Sequence, residues 1–262
     1  MEENYQKLQK IAKEGYTIEF GEVLEKSFEN FKKCFGVMGL ALILLSIVLF
    51  ILFFGIFGAI VGFSEINQTM VDFDPMMLSG TFMFAYLIFA GIFSGIMAGF
   101  NAGFYKMVHQ AEMNSGVDVS TLFYYFRTHY FKELFVSGAL IAFATTGITL
   151  LFELLHLKFI GMLLTYTVSF LTFLTVPLII FSDLKSVQAI TMSIQLTLKK
   201  PLLLIGLLLV AVLLAMLGLF AFCIGIFFTL PYIYSMVYII YNTISPIKEN
   251  NIIDEIGRSE TE

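Results

Sequence analysis

Between Lys200 and Lys248 the chain reads PLLLIGLLLVAVLLAMLGLFAFCIGIFFTLPYIYSMVYIIYNTISPI, residues 201–247, a run of 47 residues without a charged side chain. A helix crosses a hydrocarbon core about 30 Å thick with about 20 residues. As one straight helix this run would reach about 70 Å at 1.5 Å per residue. It must therefore fold back. The break is predicted between Cys223-Ile224-Gly225 and Thr229-Leu230-Pro231. Pro231 lacks an N–H and suits the opening turn of a helix behind a Thr cap. Two spans result, near 202–222 and 227–245.

Four further charge-free runs lie upstream. They hold 31 residues between Lys33 and Glu65, 31 between Asp74 and Lys106, 19 between Glu133 and Glu153, and 24 between Lys158 and Asp183. A charge at mid-membrane costs about 2.5–3.5 kcal/mol on the insertion scale, which accounts for the gaps. Spans are predicted near 37–63, 80–105, 135–154 and 159–181, giving an all-α, polytopic membrane bundle of six transmembrane helices. Residues 1–35 form an N-terminal segment with an interfacial helix, 36–246 the membrane domain, and 247–262 an acidic tail expected to be disordered. Composition agrees. The chain is 58% apolar and 13% charged, about half the roughly 25% charge of a soluble domain.

Net charge is −5 over 262 residues, so a basic nucleic-acid footprint is absent and no nucleic-acid partner is expected. Two cysteines, Cys34 and Cys223, cannot build a disulfide framework and are predicted on opposite sides of the membrane. No signal peptide is expected, because the first apolar run starts only after residue 35 and is too long for an h-region.

Orientation follows from Lys and Arg. Fourteen of the fifteen fall on one side of the predicted spans, from Lys7 to Arg258; only Lys158 falls on the other. Both termini are therefore predicted to be cytoplasmic, in a multi-pass protein of the cell membrane. Three spans follow amphipathic stretches that end in lysine: 27–33, 125–132 and 193–200. Apolar residues three and four apart, as in Leu24, Phe28 and Phe31, give each a stripe suited to the headgroup layer. Short amphipathic helices are thus expected before the first, third and fifth spans.

The Gly-rich start of the first span after Lys32-Lys33, the stretch Gln188-Ala189-Ile190-Thr191-Met192-Ser193 with Lys199-Lys200, and the late Gly225…Pro231-Tyr232 together resemble an uncharacterised family of bacterial six-helix integral membrane proteins. A related membrane domain is fused to some glycerophosphodiester phosphodiesterases. The resemblance covers about residues 20–245 and implies a six-helix fold without an agreed activity. The soluble phosphodiesterase barrel has no counterpart here, so its chemistry is not implied.

Within the second span Gly91, Gly95, Gly99 and Gly103 recur every four residues, a glycine zipper flanked by alanine and serine. Such spacing lets two backbones approach closely. Gly58 and Gly62 in the first span repeat it and are the expected intramolecular partner; a homo-oligomer seam or a pore-facing groove is the functional alternative. Thr165, Ser169 and Thr172 share an arc of about 60° at 100° per residue, reading either as a polar path or as interhelical hydrogen bonds. Pro177 frees the carbonyl of Phe173 and should kink the same helix as a hinge. Asn101 is the buried amide of the second span, with the same two readings.

Titratable side chains are placed only at span ends. His109, His129 and His156 divide between the two sides, and the Glu153-Leu-Leu-His156 spacing occurs once, whereas a di-iron bundle needs it twice. No catalytic, cofactor or metal set is assembled. The expected function is a non-enzymatic protein that organises or assists lipids, its own copies or other membrane proteins. The alternative is a transporter or channel for a small neutral or lipidic solute.

Overall fold

The computed structural model describes residues 2–61, 80–220 and 224–247, and among them every regular element is helical. In chain order these are α1 (Glu2–Glu14), α2 (Phe20–Val61), α3 (Gly80–Glu112), a 3-10 helix (Val119–Arg127), α4 (Tyr130–Leu154), α5 (Lys158–Leu171), α6 (Thr175–Ser182), α7 (Ser186–Thr197), α8 (Pro201–Met216), a 3-10 turn (Leu217–Phe220), α9 (Gly225–Thr229) and α10 (Pro231–Ile244). Five stretches are long and apolar enough to cross a membrane: Phe20–Gly55, Met83–Glu112, Tyr130–Leu154, Lys158–Ser182 and Pro201–Phe220. They present apolar side chains outward, with Leu202 84%, Phe159 72% and Phe84 69% exposed. Outward apolar surface on this scale is stable only against lipid or another apolar surface.

The last predicted span is present in two pieces. Leu230, at φ −53° and ψ −37°, carries the helical path from α9 into α10, while Pro231 opens α10 with no N–H to give. Thr229 is not the cap. Its hydroxyl donates across the hairpin to Ala215 O at 2.5 Å. The reversal begins at Leu217, earlier than expected, where a Cβ on Gly218 would lie 2.6 Å from Gly225 C.

This last helix is the centre of the bundle. Ten residues of α10 are buried, among them Tyr232, Ser235, Tyr238 and Tyr241, and it packs against α2, α3 and α8. A helix covered on most sides is what an apolar sequence with no charged residue from Pro231 to Ile244 requires.

At the end of the bundle opposite the lysines, α4 turns into α5 through His156, at φ 57°. Leu157 N–H donates to Phe152 O at 2.8 Å and His156 N–H to Glu153 O at 2.9 Å, the paired bonds of a Schellman closure. Every described Lys and Arg except Lys158 belongs to the other end.

Two expectations change. The stretch 27–33 is no separate amphipathic helix; α2 runs unbroken through it, and α1 is the detached helix of the N-terminal segment. The stretch 125–132 enters α4 from a 3-10 helix, and 193–200 closes α7 ahead of α8.

The glycine zipper does not face the first span. A Cβ on Gly91 would meet Phe143, on Gly95 Phe135, on Gly99 Phe126 and on Gly103 the Leu122 backbone. The partner is α4 with its 3-10 lead-in, because aromatic rings there fill the groove that glycine leaves. Gly138 returns the favour, its hypothetical Cβ lying 2.7 Å from Ser94 O and 3.1 Å from Gly95 Cα. Gly58 lies in the backbone of α2, and Gly62 lies outside the described residues, as do the outer loop, Cys223 and the tail.

A glycine pair in α4 tests this packing. Gly138→Ala forces the helices apart and should cost about 1–3 kcal/mol, the scale of overpacking. Gly147, with nothing within 4 Å of its hypothetical Cβ, should tolerate alanine or gain about 0.5–1 kcal/mol. Thermal unfolding in detergent reads both, and equal effects would refute the α3–α4 seam.

Candidate functional site

A buried polar side chain loses its water and is costly without a protein partner. Thr175 Oγ1 and Thr197 Oγ1 are buried without one, and several of the pairs that do form converge on α10. Asn30, fully buried on α2, donates from Nδ2 to Val108 O at 3.1 Å and to Glu112 Oε2 at 2.9 Å. Its Oδ1 accepts from Ser235 Oγ at 3.0 Å. Both amide protons and the carbonyl are thus used, and three helices meet at one side chain. Cys34, one turn on, is a buried free thiol in contact with the same group.

The other junctions repeat the scheme along α10. Tyr234 Oη donates to Asn101 Oδ1 at 2.7 Å. Tyr238 Oη and His109 Nδ1 are 2.8 Å apart, and Phe181 packs on both rings. Tyr241 Oη and Ser182 Oγ are 2.6 Å apart. The tyrosines at 234, 238 and 241 follow helical spacing and so address neighbouring helices from one strip. That spacing is visible in the sequence, but Tyr alone does not distinguish an interfacial anchor from an interior donor.

The predicted hydroxyl stripe divides. Thr165 reaches across to Thr149, with oxygens 3.1 Å apart. Ser169 donates back to Thr165 O at 3.0 Å and Thr172 to Val168 O at 2.8 Å, each within its own helix. The structure therefore brings Thr165 to α4 and Asn101 to α10, while Ser169 and Thr172 bond back within their own helix.

The break expected at Pro177 lies just ahead of it, over Thr172–Leu174. Pro177 is the third residue of α6, where a missing N–H is tolerated. Ser193, fully buried on α7, closes the gap: its Oγ donates to Leu171 O at 2.8 Å and accepts from Leu174 N–H at 3.2 Å. The start of α7 is fixed in turn by Glu133, whose Oε2 accepts from Ser186 N–H at 2.8 Å and from Ser186 Oγ at 2.5 Å. An acceptor carboxylate at a helix start also suits the helix dipole. None of Ser193, Glu133 or Ser186 was singled out from sequence as a site residue.

The N-terminal helix α1 docks on this region. Asn4 Nδ2 donates to Ser182 O at 3.1 Å and Tyr16 Oη to Leu196 O at 2.8 Å. Burial pushes the Tyr16 hydroxyl up to about 12, so it remains a donor at any physiological pH.

At the opposite end, two adjoining cavities of about 420 and 290 Å³ share Thr149, Glu153 and Thr165. Lys158 Nζ lies 3.0 Å from Glu153 Oε1 at their rim. Among the described residues no three His, Cys, Asp or Glu side chains group to hold a metal ion.

No family model, curated protein or solved structure matches the chain.

Ser193→Ala would leave Leu174 N–H and Leu171 O buried and unpaired, and should cost about 1–3 kcal/mol. Tyr234→Phe and Asn101→Leu should each cost less, with a coupling energy of about 0.6 kcal/mol and at most about 1.7, as between membrane helices. Denaturant unfolding in mixed micelles, run as a double-mutant cycle, gives both values; zero coupling would mean that the Tyr234–Asn101 bond contributes nothing.

Proposed function

We propose that this is a multi-pass protein of the cell membrane, with six crossings and both termini cytoplasmic. In this reading it acts by organising lipids or membrane proteins rather than by catalysis. Five apolar spans and the divided sixth support the topology, as does the gathering of the described cations, Lys158 excepted, at one end. The six-helix resemblance implies the same number of crossings.

One observation carries the non-enzymatic reading. Of the interior polar side chains, Asn30, Asn101, His109, Ser182, Ser193 and Ser235 are each bonded to a partner on another element, while Thr175 and Thr197 are buried without one. Catalytic groups must meet substrate, and groups committed to one another in pairs between helices hold a scaffold instead. The partners are then the bilayer, a second copy or another membrane protein, engaged through the apolar outer faces. No cofactor is required.

The transport reading, for a small neutral or lipidic solute, has one observation in its favour. The threonine-lined cavities at the Glu153–Lys158 end open beside Thr165, and the broken helix α5–α6 lies on the same chain path.

Reconstitution separates the two. Proteoliposomes should pass glycerol no faster than empty vesicles, and the combined change Thr165→Val, Ser169→Val and Thr172→Val should alter nothing. Saturable flux that falls in the triple variant would overturn the organising role. Cysteines placed singly at Met70 and Ile256 should be labelled from opposite sides; labelling of both from one side would sink the six-span topology.

A further inference from the structure

We propose that the cavity between the lysine-rich end of α3 and the 3-10 helix Val119–Arg127 holds the phosphate headgroup of an anionic phospholipid. The cavity measures about 560 Å³ and is lined by Lys106, Gln110, Thr121, Tyr124 and Arg127, with Ser120, Phe123 and Thr128 completing it. No acidic side chain lines it.

Two cations face a shared space without an ion pair among the described residues. Lys106 Nζ sits 2.7 Å above the Tyr124 ring centroid and 5.9 Å from that of Tyr125. A π-face holds the ammonium in place without neutralising it. Thr121 Oγ1 donates to Gln110 Oε1 at 3.1 Å, which leaves the Gln110 NH2 group as a donor. The two acids nearest in sequence are engaged elsewhere: Glu112 Oε2 accepts from Asn30 Nδ2 at 2.9 Å, and Asp118 Oδ1 accepts from Ser120 N–H at 2.7 Å. Hydrogen bonds from the Ser120 hydroxyl and N–H hold the Asp118 carboxyl below the usual range. An ammonium, a guanidinium and an amide around one cavity form a phosphate-binding set, with Arg suited to paired oxygens.

The aromatic side chains favour a lipid over a free phosphate. Phe123 and Tyr124 are 53% and 48% exposed at the rim. Phe123 and Phe126 pack on Phe100, ring centroids 5.7 and 4.7 Å away, so an apolar wall leads from the cavity along α3. A headgroup in the cavity would lay its acyl chains on that wall, and interfacial aromatics beside cations are the usual boundary of such a site. The site goes beyond the function proposed above, since a transporter could hold the same lipid.

The test is native mass spectrometry of the full chain in detergent, titrated with phosphatidylglycerol or phosphatidylcholine. Phosphatidylglycerol should be retained preferentially, and Lys106→Gln with Arg127→Gln should weaken it about thirtyfold, at the energy of two interfacial cations. The charge-keeping pair Lys106→Arg with Arg127→Lys should bind more tightly than the glutamine pair and more weakly than the wild type, because charge is kept while the paired donors are moved. Lys32→Gln with Lys33→Gln, at the same end but outside the cavity, should change little. Each single glutamine variant provides the comparison if the double variant fails to fold. The proposal is overturned if the two lipids bind equally, if the glutamine variants retain phosphatidylglycerol, or if the Lys32 and Lys33 changes weaken it as much. Displacement of the lipid by equimolar inorganic phosphate would likewise overturn it, and would assign the cavity to a soluble anion.

Discussion

The amide of Asn30 fixes how the bundle goes together. It is fully buried, and its two protons and its oxygen are all engaged, by α3 and by Ser235 of α10. Only one orientation of the amide serves, because the Val108 carbonyl and the Glu112 carboxylate accept while the Ser235 hydroxyl donates. A slip of one residue in any of the three helices would strand a polar group in an apolar interior. Hydrophobic burial is non-directional and sets such a register only loosely. The junctions of Tyr234, Tyr238 and Tyr241 extend the same constraint along α10.

Close backbone packing supplies the second constraint, on the other side of α3. Gly95 and Gly138 bring α3 and α4 together where a side chain would not fit, while Phe135 and Phe143 fill the remaining space over Gly95 and Gly91. One face of α3 is thus shaped by what is missing from its side chains. Its far end, near Asn101 and His109, is held by hydrogen bonds.

Much of the architecture was legible in the sequence because hydrocarbon excludes charge. The intervals between charged residues located the five long spans and the hairpin of the last run. The zipper was legible as a packing surface, but its partner was not. Gly58 and Gly62 offered matching spacing, whereas glycine grooves are equally well filled by rings, and nothing in the spacing of Phe135 and Phe143 announces which groove they enter. Pro177 marked a break to within a turn, but the closure by Ser193 joins residues about twenty apart along a chain that reverses between them. Thr229 read as a cap and instead bonds to Ala215, because the tight approach of Gly218 and Gly225 puts that carbonyl within reach. The amphipathic stretch at 27–33 merged with its span since no residue between Lys26 and Gly36 interrupts a helix.

The central position of α10 has a consequence for biogenesis. Synthesis runs from the N-terminus, so Asn30, Asn101, His109 and Ser182 enter the translocon before the tyrosines and serine that receive them have been made. Until α10 arrives, the Asn30 carbonyl, the Asn101 amide, the His109 ring and the Ser182 hydroxyl lack the partners it brings. The interior is completed by the most C-terminal described helix, through Tyr234, Ser235, Tyr238 and Tyr241. A chain truncated before Pro231 would have every long span and no finished interior.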